Sequence, residues 1–462
     1  MLPTIATGNV ASATAGGYEV ANSCRFQDSD SSEMSRAIAS TGSNTTWTVS
    51  AWVKRVELGQ SSPIFGTGDG GANNDARMVF FDAADAIECS YYNSGYTYEV
   101  TTNRVFRDCS AWYHICILFD TTESTEANRI KIYVNGTQET SFATSSYPSE
   151  DAAFNFGNTS YTHYVNDMGG RNIRGSHYIA ELVYIDGTAS AVTNFGEFNS
   201  DSPNIWQPVD VSGLSVGTNG VYLDFEASDN LGNAVDGGTD FTEGGLAATD
   251  QGTDSPTNNF ATFNPLDVNA GTATTFAEGN LSIMHNNGEN GAVTASRSTI
   301  AYSAGKWYWE VKCIAVGGDV RTGIISMSSS DYNTESNPYV LNECYNYKQN
   351  ANKGNSGGDA SYGNTYTADD IIGIAHDVGA GTLTFYKNGV SQGVAFTGLS
   401  TSITWGAFSS EYNQGKYEYN FGNPPYANSS DAADGNGYGA FEYAPPSNHL
   451  ALCTKNLGSD GG

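Results

Sequence analysis

Apolar and polar residues alternate along many short stretches of the chain, and each stretch is bounded by Gly, Asn, Asp or Ser. In TWTVSAWVKR (46–55), Trp47, Val49 and Ala51 alternate with hydroxyl side chains. This period of two is typical of a β-strand with one buried face. Long windows with helical periodicity are absent, so we predict an all-β protein. Further predicted strands cover 77–81, 86–92, 96–102, 110–120, 177–187, 220–227, 280–286, 294–303, 305–315, 322–328, 370–378, 382–388 and 404–410.

Two predicted turns carry Asn-Gly between apolar strands. They are Asn135-Gly136 in RIKIYVNGTQET and Asn388-Gly389 in LTFYKNGVSQG. Both central residues of a type I′ turn need positive φ, which Asn and Gly adopt with the least strain. We therefore predict a β-hairpin at each site. The flanking sequences differ, which favours two different domains over two copies of one repeat.

The strand series predicts two antiparallel β-sandwich (jelly-roll) domains in series with an irregular connector. SAWYHICILFD (110–120) is apolar on both faces, which is typical of a central, buried strand. The Gly/Asp/Asn-rich connector is too long for a free loop in a compact domain, so we expect it to pack on its neighbours. The expected order is an N-terminal arm (1–22), the first sandwich (23–205), the connector (206–267), the second sandwich (268–423) and an irregular C-terminal tail (424–462).

Composition and charge narrow the range of partners. The 462 residues include 53 Gly, 28 Tyr and 21 Phe, but only 20 Lys and Arg together. The formal net charge of −30 argues against nucleic acid, because phosphate binding needs a basic patch, and it disfavours anionic membranes. No apolar run approaches the ~18 residues of a membrane span. MLPTIATGNVASATAGG lacks the features of a signal peptide, so we expect synthesis in a cytoplasm without the usual export.

Two groups of motifs resemble known β-sandwich families. The first resembles laminin-G-like (concanavalin A-like) jelly rolls and rests, in order, on TWTVSAWVKR, AWYHICILFDTT, IKIYVNG and HYIAELVYIDG. The second resembles SPRY domains and rests on GKWYWEVK, DIIGIAHDVGAGTLTFYKNGV and WGAFSS. The two modules are joined by TDSPTNNFATFNPLD and followed by LALCTKNL. This arrangement resembles that of a family of structural proteins common in marine tailed bacteriophages. The resemblance implies two binding modules on a virion, in a fibre, a spike or a capsid decoration.

Catalytic chemistry is not recognisable in the sequence, and we expect no enzyme. Glycosidases on the concanavalin-like fold need two carboxylates about 5–9.5 Å apart. The laminarinase-type run Glu-x-Asp-x-x-Glu is absent, and the nearest stretch (28–33) begins with the wrong residue. His114 lies in the predicted buried strand, so we expect a core or hydrogen-bonded imidazole. His376-Asp377 precedes the second hairpin, where we expect a role in the turn.

Glycan binding is the chemistry that the tyrosines favour. SYYNSGYTY (90–98) places four tyrosines around a tight turn, and YNYKQN (345–350) is a similar stretch in the second module. A tyrosine offers a flat apolar face and a hydroxyl, which suits stacking on sugar rings. The alternative is that strand alternation turns half of these rings into the core. The candidates are Tyr91, Tyr92, Tyr96 and Tyr98 in the first module and Tyr345 and Tyr347 in the second.

A structural Ca²⁺ is the one cofactor that the sequence leaves open, and we otherwise expect none. Hard cations bind clustered carboxylate and carbonyl oxygens. Asp229, Asp236 and Asp240 crowd one Gly-rich stretch, although without the spacing of a dedicated calcium loop. The alternative is that they form ordinary Asx turns.

The sequence and the resemblance together favour a non-enzymatic phage virion protein whose lectin-like modules attach to a host surface or glycan. One alternative is a purely architectural virion subunit, and another is a polysaccharide-degrading spike. The expected location is the virion. The expected partners are other virion proteins and host-surface glycans, with neither nucleic acid nor membrane. Phage fibres and spikes are often trimers, so we expect a homo-oligomer, with a trimer as one option.

Overall fold

A computed structural model describes residues 17–70, 75–154, 156–269, 274–285, 294–335, 337–412 and 414–458. The predicted N-terminal arm lies outside the described residues up to position 16. The described chain divides into two compact units between Thr257 and Asn258. Its regular structure is almost entirely β-strand, which confirms the predicted all-β class. Within these ranges no helix has the length and apolar character needed to cross a membrane.

The first unit is built from short antiparallel strands. They are β1 (Ser23–Phe26), β2 (Glu33–Ala37), β3 (Thr46–Arg55), β4 (Ser62–Gly68), β5 (Ala76–Phe81), β6 (Ala86–Tyr92), β7 (Tyr96–Val105), β8 (Trp112–Asp120), β9 (Ile130–Val134), β10 (Thr137–Gln138), β11 (Phe142–Ser146), β12 (Thr162–Val165), β13 (His177–Asp186), β14 (Gly196–Phe198), β15 (Trp206–Pro208), β16 (Val221–Leu223), β17 (Thr242–Gly244) and β18 (Gln251–Gly252).

These strands form two large sheets that face each other across the core. Sheet 1 has the order β10-β9-β8-β3-β13-β1-β18, and β16 also pairs with β13. Sheet 2 has the order β11-β7-β6-β5-β4-β12-β2-β17, while β14 and β15 form a separate pair. Short 3-10 helices lie at Asp28–Asp30, Glu126–Asn128, Val192–Asn194 and Ala248–Asp250.

The second unit repeats this architecture with its own two sheets. Its strands are β19 (Phe263–Val268), β20 (Thr274–Ala277), β21 (Ser282–His285), β22 (Thr294–Tyr302), β23 (Lys306–Ala315), β24 (Asp319–Ser326), β25 (Cys344–Lys348), β26 (Asn352–Asn355), β27 (Gly358–Ser361), β28 (Ile371–Asp377), β29 (Thr382–Lys387), β30 (Val390–Thr397), β31 (Trp405–Tyr412), β32 (Lys416–Asn420) and β33 (Leu450–Ala451). A 3-10 helix covers Pro338–Val340, and the short helix α1 covers Thr454–Leu457. Sheet 3 has the order β19-β22-β31-β24-β25-β26-β27. Sheet 4 has the order β20-β21-β32-β23-β28-β29-β30, with β33 parallel to β23.

Strand β8 lies inside sheet 1 and is buried on both faces, as predicted. Ile115 and Phe119 point into the core between sheets 1 and 2. Cys116 points the other way and packs in a second apolar cluster with Val211 and Val216. Because both faces of the strand meet apolar groups, its sequence shows a continuous apolar run instead of alternation.

The segment 206–267, predicted as a connector packed on the sandwiches, contributes strands to both units. Strands β15 to β18 belong to the first unit and β19 to the second. Trp206 lies in a buried cluster with Trp52 and Trp112, on the face of sheet 1 that points away from sheet 2. The N-terminal part of the segment therefore packs against sheet 1 and is not a free loop. All the predicted domain boundaries, including those of the connector, stay predictions.

Both Asn-Gly hairpins are confirmed, and both use the asparagine side chain in the same way. The φ values are 48° and 74° at Asn135 and Gly136, and 48° and 76° at Asn388 and Gly389. Asn135 Oδ1 accepts a hydrogen bond of 2.7 Å from the backbone N–H of His114. Asn388 Oδ1 accepts one of 2.8 Å from the backbone N–H of Ile371. Each turn therefore also fixes the neighbouring strand, β8 in one unit and β28 in the other.

The C-terminal tail is held against sheet 4 by the buried carboxylate of Glu310 on β23. Glu310 Oε1 accepts the backbone N–H of Tyr443 at 2.8 Å, and Oε2 accepts that of Glu442 at 2.9 Å. The Tyr308 hydroxyl and the Asn420 amide also donate to this carboxylate, at 3.2 and 3.3 Å. Burial raises the pKa of Glu310 to about 7, although these four donors favour the ionised form.

We expect Gly389→Val to lower the free energy of unfolding by more than about 1 kcal/mol. The turn needs positive φ, and a Cβ at this position would lie 2.6 Å from the Tyr443 ring. Gly435→Val is the matched control, because the Cβ position of Gly435 has nothing within 4 Å. Chemical denaturation measures both variants. Equal losses in the two variants would contradict the assigned turn.

We expect Glu310 to stabilise the fold more at low pH than at high pH. The folded state holds the Glu310 proton up to about pH 7, whereas the unfolded chain releases it near its ordinary pKa of 4.5. This contribution is therefore fully present below about pH 4.5 and is lost as the pH rises through about 7. It amounts to at most about 3 kcal/mol.

Denaturation of Glu310→Gln at pH 5 and pH 8 measures this contribution. Relative to wild type, the variant should lose more stability at pH 5 than at pH 8. Asp431→Asn is the control, because it removes an exposed carboxyl of the same tail. A pH-independent difference between Glu310→Gln and wild type would contradict the assignment.

Candidate binding surface

The tyrosine-rich turn at 90–98 is the hairpin between β6 and β7 in sheet 2. Tyr91 lies opposite Tyr98, and Tyr92 lies opposite Tyr96, with a shift of register between the two pairs. A β-bulge inserts an extra residue into one strand, so the side chains beyond it change faces. Tyr98 therefore points into the core while Tyr96, two residues earlier, points outward.

The prediction that Tyr98 contacts a glycan is wrong, because its side chain is fully buried. Its ring centroid lies 5.5 Å from that of Phe119 and 5.0 Å from that of Phe154. Tyr91 is half-buried, and the Arg77 guanidinium covers its ring at 4.1 Å from the centroid. These two tyrosines support the core and leave the outer face to the other pair.

Half-buried Tyr92 and exposed Tyr96 form an aromatic pair on the outer face of sheet 2. Their ring planes meet at 82°, with centroids 5.2 Å apart, and Tyr96 is 53% exposed. Edge-to-face pairs of this kind are favourable because the positive edge of one ring meets the negative face of the other. The Arg171 guanidinium lies over the Tyr92 ring, 5.0 Å from its centroid. The hairpin thus presents a rigid aromatic corner next to a cation.

A buried carboxyl lies beside this aromatic pair. Glu88 and Ser90 precede Tyr92 at alternate positions of β6, so all three share the outer face. Glu88 is only 5% exposed, and Thr101 lies opposite it on β7. Burial raises the pKa of Glu88 to about 7. Ser90 and the Tyr96 hydroxyl interact with the Glu88 carboxyl, and Thr101 Oγ1 is a buried atom without a hydrogen-bond partner in the described chain.

A closed loop brings Arg171 to this surface. Asn166 bridges the ends of the loop: its Oδ1 accepts the Gly175 N–H at 3.0 Å, and its Nδ2 donates to the Gly175 carbonyl at 2.9 Å. Asp167 Oδ1 accepts the backbone N–H of Arg171 at 2.9 Å. Met168 packs with Met78 in an apolar cluster on the same outer face. No local sequence pattern marks Arg171, because the loop meets the hairpin only in the folded chain.

The tyrosines of the second module are much less exposed than predicted. Tyr347 is fully buried, and its ring centroid lies 5.2 Å from that of Phe385, so the prediction that it contacts a glycan is wrong. Tyr345 is half-buried and packs edge-on against Phe396 and Trp405, with centroids 5.1 and 5.9 Å away. Both rings fill the region between the sheets because β25 lies inside sheet 3.

The predicted calcium ligands occupy one Gly-rich stretch, but two of them hold the backbone. Asp236 Oδ1 accepts the Tyr222 N–H at 3.0 Å, and Asp240 Oδ1 accepts the Ala234 N–H at 3.0 Å. Asp229 lies in a turn of the same stretch. Among the described residues, no three metal-ligating side chains come together. A structural Ca²⁺ at these residues stays a prediction.

Asp236 also lines a cavity of about 220 Å³ in the first unit. Buried Arg36 and His163 lie in its wall. The Arg36 guanidinium donates to the carbonyl of Asn219 at 2.6 Å and to that of Thr239 at 3.2 Å. The N–H groups of Arg36 thus link the loops that line the cavity. We therefore assign Arg36 a structural role in the cavity wall.

The histidines weighed for catalysis are buried and hydrogen-bonded. His114 Nδ1 accepts the Trp206 indole N–H at 3.1 Å, and its Nε2 lies 2.9 Å from Ser50 Oγ. Burial lowers the pKa of His114 to about 3, which confirms the prediction of a core imidazole. His376 is buried in β28 beside Tyr302, whereas Asp377 accepts the Ala380 N–H and so takes the turn role.

Comparison with protein families assigns a known module to each unit. Residues 28–171 match a model of the concanavalin A-like lectin/glucanase superfamily, described as Laminin_G_3. Residues 306–424 match the SPRY domain. The candidate surface at Glu88, Tyr92, Tyr96 and Arg171 lies within the first match or at its end.

Curated relatives resemble only part of the chain. Ran-binding protein 9 of Xenopus tropicalis is 33% identical over 133 residues, which is 28% of this chain and 24% of that protein. Ran-binding protein 10 of Danio rerio is 31% identical over 119 residues, or 25% of this chain and 20% of that protein. The chain thus spans about a quarter or less of the length of these relatives.

Solved structures with some similarity are SPRY domains and a toxin. The SPRY domain of human HERC1 is 16% identical with a TM-score of 0.29, covering 34% of this chain and 96% of that chain. Stonustoxin is 15% identical with a TM-score of 0.26, covering 35% and 27%. Likenesses at these scores carry no further argument. The family matches and the two β-sandwich units together show a chain with a concanavalin A-like, laminin-G-type domain followed by a SPRY domain.

Proposed function

We propose that the protein is a non-enzymatic phage virion component that binds a glycan on the outer face of sheet 2. The outer-face pair of half-buried Tyr92 and exposed Tyr96 is the observation that carries this proposal. A sugar ring stacks on a tyrosine face because its C–H groups are apolar and weakly positive, while its hydroxyls reach neighbouring polar atoms. Glu88, Ser90 and Thr101 place polar atoms on the same face, beneath the side chains that shield them.

The burial of both histidines considered as catalysts supports binding over hydrolysis. His114 and His376 are buried and held neutral, since burial lowers the pKa of each to about 3. Glu88 is nearly enclosed and lies close to Tyr96. A glycosidase would need a second carboxyl at the scissile bond, with room for the substrate between the two. A polysaccharide-degrading spike therefore remains the weakest of the three hypotheses.

The virion assignment rests on the order of motifs that resembles structural proteins of marine tailed phages. A purely architectural subunit, which binds only other virion proteins, is the second candidate. The edge-to-face pair of Tyr92 and Tyr96, with polar oxygens on the same face, supports the binding role over this one. Host-surface glycans and other virion proteins are the proposed partners, with the chain in a homo-oligomer.

We expect the double variant Tyr92→Ala/Tyr96→Ala to bind glycans at least about tenfold more weakly than wild type on a glycan array. The two rings supply the stacking surface, and neither belongs to the core between sheets 1 and 2, although Tyr92 packs on the outer-face cluster of Met78 and Met168. Tyr133→Ala is the matched control, since this half-exposed tyrosine lies on sheet 1. Unchanged binding in the double variant would remove the site from sheet 2. A wild-type protein that binds no glycan or cell would favour the architectural role.

We expect the chain to copurify with phage particles from its source culture, at a fixed number of copies per particle. Quantitative mass spectrometry of density-purified particles measures this number, and antibody labelling with electron microscopy locates the chain on tail or capsid. A chain found only in the unassembled lysate would contradict the virion role. That result would leave the glycan-binding test unaffected.

A further inference from the structure

The candidate surface combines aromatic rings with an excess of nearby carboxyl groups. Ser90 pairs with Glu99 across β6 and β7, and Glu88 pairs with Thr101, so both glutamates lie on the outer face. Burial is the main reason that the pKa values of Glu88 and Tyr96 are raised. The negative charge of neighbouring carboxyl groups adds to the rise. Glu99 contributes to both shifts, which places its charge close to the aromatic pair. The negative charge of these carboxyl groups favours binding of a cation at the faces of the tyrosine rings.

The chain itself places a cation on one of these rings. The Arg171 guanidinium lies 5.0 Å from the Tyr92 ring centroid, within the range of a cation–π interaction. Its charge also acts on Tyr96, where it offsets part of the rise in pKa. Arg171 is contributed by the loop closed at Asn166 and Gly175, and its side chain is only partly buried. A ligand can therefore compete with it for the ring.

We propose that the Tyr92–Tyr96 surface selects glycans that carry a free, protonated amine, and that this amine replaces Arg171 over the Tyr92 ring. The inference rests on the proposed glycan-binding function and specifies its ligand class. An ammonium group on the sugar meets the ring face and the charge of Glu99 at the same time. A neutral sugar meets only the ring, and an acidic sugar is repelled by the carboxyls.

The buried oxygens beside the pair favour an amino sugar over a basic peptide. Glu88, Ser90 and Thr101 lie on the same face; Glu88 interacts with Ser90 and Tyr96, and Thr101 Oγ1 has no hydrogen-bond partner in the described part of the chain. A sugar ring carries hydroxyls next to its amine that can donate to and accept from such oxygens. A lysine side chain carries only methylene groups below its ammonium. These oxygens are shielded from solvent, so a ligand reaches them only when the side chains above them move.

The test compares three oligosaccharides on the full chain by calorimetry at low ionic strength. The chitosan hexamer carries free amines, the chitin hexamer carries the same sugars with the amines acetylated, and laminarihexaose carries no nitrogen. We expect the chitosan hexamer to bind about tenfold or more tightly than the other two. Added salt should weaken only the chitosan complex, because screening acts on the charged ligand. Glu99→Gln should reduce the preference for chitosan severalfold.

Variants of Arg171 test the displacement directly. Arg171→Ala should bind the chitosan hexamer severalfold more tightly than wild type, because the competing guanidinium is gone. Arg171→Lys keeps a cation at this position and should bind it as wild type does. Arg104→Ala is the matched control, since it removes an exposed arginine of the same sheet. Weaker binding in Arg171→Ala, with an unchanged melting temperature, would overturn the displacement.

Tyr92→Ala separates specific binding from general attraction to the acidic chain, because it leaves the net charge unchanged. Chitosan binding that survives this substitution would overturn the proposal. Equal, tyrosine-dependent binding of chitin and chitosan hexamers would overturn amine selection and leave the glycan function intact. Failure of all glycans to bind would defeat the proposed function itself. An oligolysine peptide that binds as tightly as chitosan, through Tyr92, would assign the surface to basic peptides instead.

Discussion

The register between neighbouring antiparallel strands decides which side chains share a face, and the candidate surface depends on one shift of that register. Tyr91 faces Tyr98, but Tyr92 faces Tyr96, so one extra residue lies in β7 between the pairs. Without this bulge, Tyr96 and Tyr98 would point the same way, because side chains alternate with a period of two. The bulge lets Tyr98 complete the core while Tyr96 joins Tyr92 outside. One backbone irregularity thus separates a buried tyrosine, Tyr98, from an exposed one, Tyr96.

Much of the fold follows from local sequence because strands and type I′ turns are local events. The run TWTVSAWVKR predicts β3 with the bounds that the structure gives it, Thr46–Arg55. Asn135-Gly136 and Asn388-Gly389 predict both hairpins through the positive φ that their turns need. The order of strands in a sheet is not local. The sequence around β3 does not predict that β3 pairs with both β8 and β13, because these contacts join residues far apart in the chain.

The candidate surface was predictable only in part, for the same reason. The tyrosine-rich composition and the turn signal predict Tyr92 and Tyr96 as candidates. They do not predict which tyrosine side chains are exposed, as the wrong assignments of Tyr98 and Tyr347 show. The bulge that buries Tyr98 has no Gly or Pro to mark it. The sequence could have placed Glu88 on the face of Tyr92, because the two residues are four positions apart in one strand and such positions share a face. Arg171 arrives from a loop far along the chain, so only the folded structure brings it to Tyr92.

The charge of the protein and the chemistry of the surface lead to the same kind of ligand. A chain with a net charge of −30 repels acidic partners at long range, and the carboxyls beside the tyrosine pair do so at short range. A hexosamine with a free amine is attracted by both fields and fits a ring face that already holds a guanidinium. Such selection needs no reactive group, because it uses only Tyr92 and Glu99 on neighbouring strands of sheet 2 and a loop arginine, Arg171, that the ligand displaces. Binding specificity on this fold can therefore arise from an outer face as well as from loops.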